Sequence, residues 1–196
     1  MAEFVLHIVG LSPLLTHNPA SMAIPKAVGT RGSNIPLPEV EAEAAAYRLA
    51  DGQCALPAIA LRSAIIEAAG AWKAAGRRSS MKSVLAHIEV QDELLPLWNP
   101  DDGSPLTSYV IDRRRVRVQR AGVMRARPRF ERWGTSIILG FDEVLLTQPS
   151  IIKEIANDAG RRFGVGDYRP QTKGWFGKFA TSDQAAWTAA LPLAAE

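Results

Sequence analysis

The sequence predicts an α+β fold, and three observations carry that expectation. Segments rich in Val and Ile alternate with two or three helical segments, without the regular β–α alternation of a parallel sheet. The chain has 196 residues, 47% of them hydrophobic, which is enough to bury a real core. No internal repeat is present, and Pro, Gly and Asn clusters punctuate the chain at uneven intervals.

Phe4 to Val9 alternates loosely and reads as the first strand. Pro13 to Pro38 holds Pro13, Pro19, Pro25, Pro36 and Pro38 with Gly29 and Gly32, and reads as a long irregular excursion of the functional or disordered kind. Glu39 to Leu49 is Ala-rich and predicts a helix. Asp51-Gly52 marks a turn into a short strand at Cys54 to Leu56. Leu61, Ala64, Ile65, Ala68 and Trp72 follow helical spacing and predict a helix over about Ala58 to Ala75. A basic, polar stretch from Lys73 to Lys82 follows, with a helix end near Gly76.

Val84 to Leu97 reads as a strand or pair of strands ending at the turn Asn99-Pro100-Asp101-Asp102-Gly103. Tyr109 to Gln119 is a further strand, Val123 to Phe130 its continuation or partner, and Thr135 to Phe141 a third. Pro149 suits the first turn of a helix. The apolar face of that helix is Ile151, Ile152, Ile155, Ala156 and Ala159, with Gly160 near its end. Trp175 to Ala180 predicts the last strand, and Ala185 to Glu196 is a weakly specified tail. A single domain over 1–180 results, with irregular insertions at 13–38 and about 77–130 and a tail at 181–196.

Composition narrows the function classes. Cys54 is alone and His7, His17 and His87 are scattered, so neither a disulfide framework nor a metal site is expected. Gly164-x-Gly166 lacks the third glycine of a dinucleotide fingerprint and there is no P-loop, so no cofactor is expected. No stretch approaches the roughly 20 apolar residues of a membrane span, and no signal-peptide pattern opens the chain. A cytoplasmic protein without a membrane partner is the default expectation.

Two segments carry the functional signal. The run from Gly164 to Phe179 interleaves four glycines with three cations (Arg169, Lys173, Lys178) and four aromatics (Tyr168, Trp175, Phe176, Phe179). Glycine allows close backbone approach, cations neutralise phosphate, and aromatic faces stack on bases. Phe176 and Phe179 read as core; Tyr168 and Trp175 as stacking candidates. The bland alternative is a glycine-rich hairpin with surface cations.

The second segment holds Arg113, Arg114, Arg115, Arg117, Arg120, Arg125, Arg127, Arg129 and Arg132 within twenty residues, with Glu131 the only acid among them. The net charge is +3 and the pI near 9.2, so it is this asymmetry rather than the total that points to a polyanion. On strands, Arg113, Arg115 and Arg117 share one face, and Arg125, Arg127 and Arg129 alternate likewise. Two rows of guanidinium groups on one sheet are expected, with too few local carboxylates to pair them. Arginine's planar fork suits phosphate.

These pieces resemble the RAMP superfamily, which includes backbone subunits of CRISPR effector complexes. The resemblance lies in the glycine loop, Gly164-Val165-Gly166 with Gly174-Trp175-Phe176-Gly177. It also lies in Leu56-Pro57-Ala58-Ile59-Ala60-Leu61-Arg62-Ser63-Ala64, similar to a proline-entered helix with Arg62 at its basic position. A closer similarity is to small phage and mobile-element proteins of that superfamily. It is carried by Pro13 to Asn18, Arg125-Ala126-Arg127-Pro128 and Ala159 to Pro170. The resemblance implies a modified ferredoxin-like, RRM-like domain in a bacterial cell, phage- or mobile-element-encoded. Such a domain binds single-stranded RNA or DNA without reading sequence, RNA being favoured, as a homo-oligomer along the strand. CRISPR-like effector subunits are further implied partners. Arg62, Arg161, Arg162, Arg169, Lys173 and Lys178 become expected contacts, with Gly164, Gly166 and Gly174 shaping the loop.

Catalysis is not expected. Some RAMP subunits cleave RNA with an aspartate in an early loop, but Pro13 to Pro38 contains no acid. His17 is the one weak catalytic candidate and lacks a visible acid–base partner. Asp167 is expected to pair with Arg162 or Arg169. The alternatives to a non-catalytic strand binder are a phage single-stranded DNA binding or annealing protein, a RAMP-type endoribonuclease, and a phage-encoded mimic that inhibits a CRISPR complex.

Overall fold

A computed structural model of the chain describes residues 2–23, 37–74, 80–118 and 121–187. In chain order the elements are β1 (Ala2–Gly10), β2 (Leu14–Leu15), α1 (Pro38–Ala45), β3 (Ala55–Pro57), α2 (Ala58–Ala68), α3 (Met81–Leu85), β4 (Glu89–Val90), β5 (Leu94–Pro96), β6 (Val110–Val118), β7 (Ala121–Phe130), β8 (Gly134–Phe141), α4 (Ile151–Arg162) and β9 (Phe179–Ser182). Short 3-10 turns lie at Pro19–Ala23, Ala69–Ala71 and Pro170–Thr172. The fold is mixed α+β with antiparallel sheets, as the sequence predicts.

The main sheet has the order β4-β8-β1-β9. Its strands and the two helices that cover it follow one another as β1-α2-β4-β8-α4-β9. This succession is consistent with a ferredoxin-like arrangement. Leu6 and Ile8 of β1 alternate inward with Ile137 and Leu139 of β8. They meet Leu61 and Ile65 of α2 and Ile152 and Ile155 of α4 in one core. Burying each such side chain is worth about 1.5–3 kcal/mol. The spacing of those apolar residues is what makes α2 and α4 helices that pack. In α4, Arg161 and Arg162 also occupy the last turn, where cations complement the helix dipole.

The opposite face of the sheet is crossed by the chain at 185–187. Trp187 is buried there and donates from Nε1 to Ser136 Oγ at 2.8 Å. Ser136 Oγ also lies 2.7 Å from His7 Nδ1.

Two sets of strands sit outside this frame. β3 pairs with β5, and β6 and β7 form a long hairpin to which β2 adds at Leu14↔Phe130. The register runs from Val110↔Arg129 through Arg114↔Arg125 to Val118↔Ala121. Val123 to Phe130 is therefore the partner, not the continuation, of the preceding strand.

Several boundaries differ from the sequence reading. Val84 and Leu85 close α3 instead of opening a strand, because Met81, Val84, Leu85 and Ile88 are buried at helical spacing. Only Glu89–Val90 and Leu94–Pro96 are extended there. The helix predicted to Leu49 ends at Ala45, where Ala46 turns extended. The last strand begins at Phe179, since Gly177 takes a φ of +64° and keeps Trp175 to Lys178 in the loop. The helix predicted to about Ala75 ends at Ala68; a 3-10 turn follows at Ala69–Ala71 and Trp72 is already extended. The core of the early excursion at 24–36, residues 75–79, Gln119 with Arg120, and the tail at 188–196 lie outside the described residues.

Candidate nucleic-acid interface

The glycine loop between α4 and β9 is clamped along the segment that leaves β1. Asp167 donates its backbone N–H to Leu15 O at 2.8 Å, Gly177 to Pro13 O at 2.8 Å, and Leu11 to Lys178 O at 2.7 Å. Inside the loop, Val165 donates to Gly177 O at 2.9 Å and Gly174 to Arg169 O at 3.0 Å. A Cβ on Gly174 would fall on the Tyr168 carbonyl, so this crossing admits only glycine. Tyr168 and Lys173 themselves sit at positive φ, 50° and 64°. The loop is thus a built structure, with Phe176 buried in its floor and Trp175 53% exposed outside.

The floor is continued by the β6–β7 hairpin, and here the expected geometry is corrected. Antiparallel partners point to one side. The register therefore puts Arg125, Arg127 and Arg129 with Arg114 and Asp112, opposite the face bearing Arg113 and Arg115. The two arginine rows stand on opposite faces of the ribbon. The first packs under the glycine loop. Arg114 lies 5.4 Å from the Tyr168 ring centre and 4.7 Å from that of Phe176. Arg127 stacks on Tyr168 at 5.3 Å and Arg129 on Phe176 at 5.8 Å.

Carboxylates are not scarce either: Asp112 and Glu131 stand beside the arginines, and Glu39, Glu41, Asp101 and Asp167 arrive from elsewhere in the chain. Arg113 meets Glu39 at 2.8 Å, Arg114 meets Asp112 at 2.5 Å, and Arg125 meets Glu41 at 2.9 Å. Arg127 meets Asp167 at 2.8 Å, Arg129 meets Glu131 at 2.8 Å, and Arg132 meets Asp101 at 2.6 Å. Glu41 is buried and also accepts the Ala126 N–H at 3.0 Å, so a side chain of α1 caps the open edge of β7. Arg127 is 7% exposed and belongs to the interior of this network, not to a free phosphate-binding row.

Other predicted contacts divide in the same way. Arg62 donates to Ile88 O at 2.8 Å and Ala86 O at 2.7 Å, satisfying carbonyls that follow α3. Arg162 pairs with Asp158 at 2.8 Å, and not with Asp167 as expected. Arg169 donates to Gln171 Oε1 at 3.0 Å and Gly166 O at 3.0 Å, without a carboxylate among the described residues. Arg115, Arg161 and Lys173 are exposed and Lys178 is half-exposed, and none has an ion pair among the described residues. The backbone of Arg117 lies opposite Gly122.

Against the loop lies a groove of about 610 Å³, lined by Pro19, Met22, Pro57 and Ile59 and by Gly164 to Asp167 of the loop. Here His17 gains the partner that the sequence did not reveal, its Nδ1 lying 3.6 Å from Asp167 Oδ2. Burial alone would raise the Asp167 carboxyl. The contact with His17 and the Arg127 charge outweigh it, holding the group below its ordinary range. Tyr47 lines the same groove, and its hydroxyl donates to the His17 carbonyl at 3.5 Å. Neither Tyr47 nor the Asp167 partnerships carry a local sequence signal. Among the described residues no group of three or more His, Cys, Asp or Glu is placed to hold a metal ion, and no helix is long and apolar enough to cross a membrane. No protein-family model matches the chain, and no curated protein matches it.

Proposed function

We propose that the chain binds single-stranded nucleic acid through phosphates and base faces without reading sequence, and that copies assemble side by side along the strand. RNA is the favoured strand by the resemblance of the glycine loop and the Leu56-Pro57 helix entry to RAMP backbone subunits. That relationship, a cytoplasmic location in a bacterial cell and association with CRISPR-like effector subunits belong to the same proposal. One observation carries it: the loop exposes Lys173 and Trp175 and part-exposes Lys178, the two lysines without an ion pair among the described residues, while its acid, Asp167, is spent on Arg127. A surface of hydrogen-bonded backbone, exposed cations and an exposed aromatic suits sequence-independent strand binding.

Fluorescence anisotropy of the full chain with labelled single-stranded RNA, single-stranded DNA and duplex, at graded salt, tests the proposal. The expected result is binding to single strands whose log affinity falls linearly with log salt, by about 0.7 per phosphate contact. Lys173→Glu with Lys178→Glu should weaken it and flatten that slope. Preference for DNA would move the reading to phage single-stranded DNA binding or annealing. Failure to bind any strand at low salt would overturn it, and would favour the inhibitor that mimics a CRISPR subunit.

A second reading, a RAMP-type endoribonuclease, is favoured by the His17–Asp167 pair at the groove. It requires RNA cleavage by the wild type and its loss in His17→Ala. Intact RNA after incubation with the wild type would remove it.

A further inference from the structure

We infer that the groove beside the glycine loop is a single-nucleotide subsite, taking one unstacked base against its apolar lining and the adjoining phosphate on Arg169. The inference rests on the strand-binding reading and names a place in which the strand is gripped.

Charge decides what the groove can hold. Its two carboxylates are already neutralised, Glu67 by Lys82 at 2.7 Å and Asp167 by Arg127 at 2.8 Å. Arg169 is the one lining guanidinium, and it has no carboxylate partner among the described residues. Its Nε and Nη1 donate to Gln171 and Gly166, which leaves Nη2 without a hydrogen bond among the described residues. The site therefore offers one guanidinium, suited to one phosphate and not to a polyphosphate or a run of backbone.

Shape and lining fit the rest of a nucleotide. The groove has the volume of a small-molecule site, about 300–1,000 Å³ in general, with apolar walls and a few polar groups. Ile59 is 58% exposed and Met22 more so, and both line the groove. Apolar side chains displayed in this way suit the faces of a planar base. The Ser63 hydroxyl and the Gln171 amide provide hydrogen-bonding groups for its edge.

The test uses the full chain with a single-stranded RNA carrying 4-thiouridine, cross-linked by near-ultraviolet light and mapped by mass spectrometry. The expected cross-links fall on residues 16–22 and 47–60, and Ile59→Asp weakens strand binding at least tenfold. Met22→Glu, also in the lining, should act likewise, and thermal melting shows whether each variant is folded. If the strand binds but cross-links only at Trp175 or the β6–β7 hairpin, and both variants bind as wild type, the subsite is overturned while strand binding stands. If no strand binds, the strand reading itself fails. A titration with uridine monophosphate followed by NMR then decides the groove: shifts confined to its lining keep it as a site for a free nucleotide, and none overturns it.

Discussion

The Arg127 guanidinium lies 2.8 Å from the Asp167 carboxylate, tying the middle of β7 to the glycine loop across forty positions of sequence. Both side chains touch other members of one cluster, His17 at Asp167 and the Tyr168 ring at Arg127. This contact fixes how the loop sits on the hairpin.

Removing one member should be costly. Asp167→Ala leaves the buried Arg127 charge uncompensated, for which a loss of about 3 kcal/mol is expected. Urea unfolding of the variant against wild type measures it. The sign of the pH dependence follows from the depressed carboxyl. Its contribution is full above the unfolded value of about 3.9 and is lost as pH falls through the lower folded value. The stability gap between wild type and Asp167→Asn should therefore hold constant above pH 4 and narrow below it.

Glu41 offers a separate test. It serves as the edge partner of β7, accepting from Arg125 and from the Ala126 N–H. Glu41→Ala should cost about 3 kcal/mol, because a buried acceptor and one member of an ion pair are lost together. Glu41→Gln retains an acceptor for the N–H and should lose less. Amide exchange at Ala126 distinguishes the two, with rapid exchange expected only in the alanine variant.

A titration checks the contact between α1 and the residues before β6. Hydrogen bonds from Arg48 first and Tyr109 second hold the Glu43 carboxyl at about 2. Burial, then the Glu43 hydrogen bond, raises the Tyr109 phenol above its ordinary value. In Glu43→Gln the Tyr109 titration, followed by ultraviolet absorbance, should move back down without reaching an exposed tyrosine's value. No movement would mean that the 2.6 Å contact does not exist in solution.

Gly174→Ala should disrupt the loop selectively. The added methyl meets the Tyr168 carbonyl, and the backbone must shift at an expected cost of about 1–3 kcal/mol. Proteolysis between Tyr168 and Trp175 should accelerate, and strand affinity should fall with it. Wild-type affinity in a variant whose loop is cleaved early would separate the loop from binding.

Much of the scaffold was legible because it repeats locally. The two-residue alternation of Phe4 to Val9 and the helical spacing of Leu61, Ala64, Ile65 and Ala68 each encode their own burial. Phe176 and Phe179 were read as core and are buried. Pairing across the chain was not legible. Whether Arg125 shares a face with Arg114 or with Arg113 depends on register, and a one-residue slip would reverse it. Counting acids near the arginines missed Glu39, Glu41 and Asp167, which only the fold delivers. The same reason hid the carboxylate beside His17. Val84 and Leu85 were misread because short apolar runs suit a strand and a helix turn alike.

The underside of the glycine loop is supplied by arginines of a hairpin that lies between β4 and β8, not by the four-stranded frame. Trimming that hairpin to reach a minimal domain would leave Tyr168 without its cationic partners, Phe176 exposed and Asp167 without its countercharge. Grafting the loop alone onto a related scaffold would meet the same failure. The transplantable unit is the loop together with its hairpin, and the segment from Leu11 to Leu15 must travel with them.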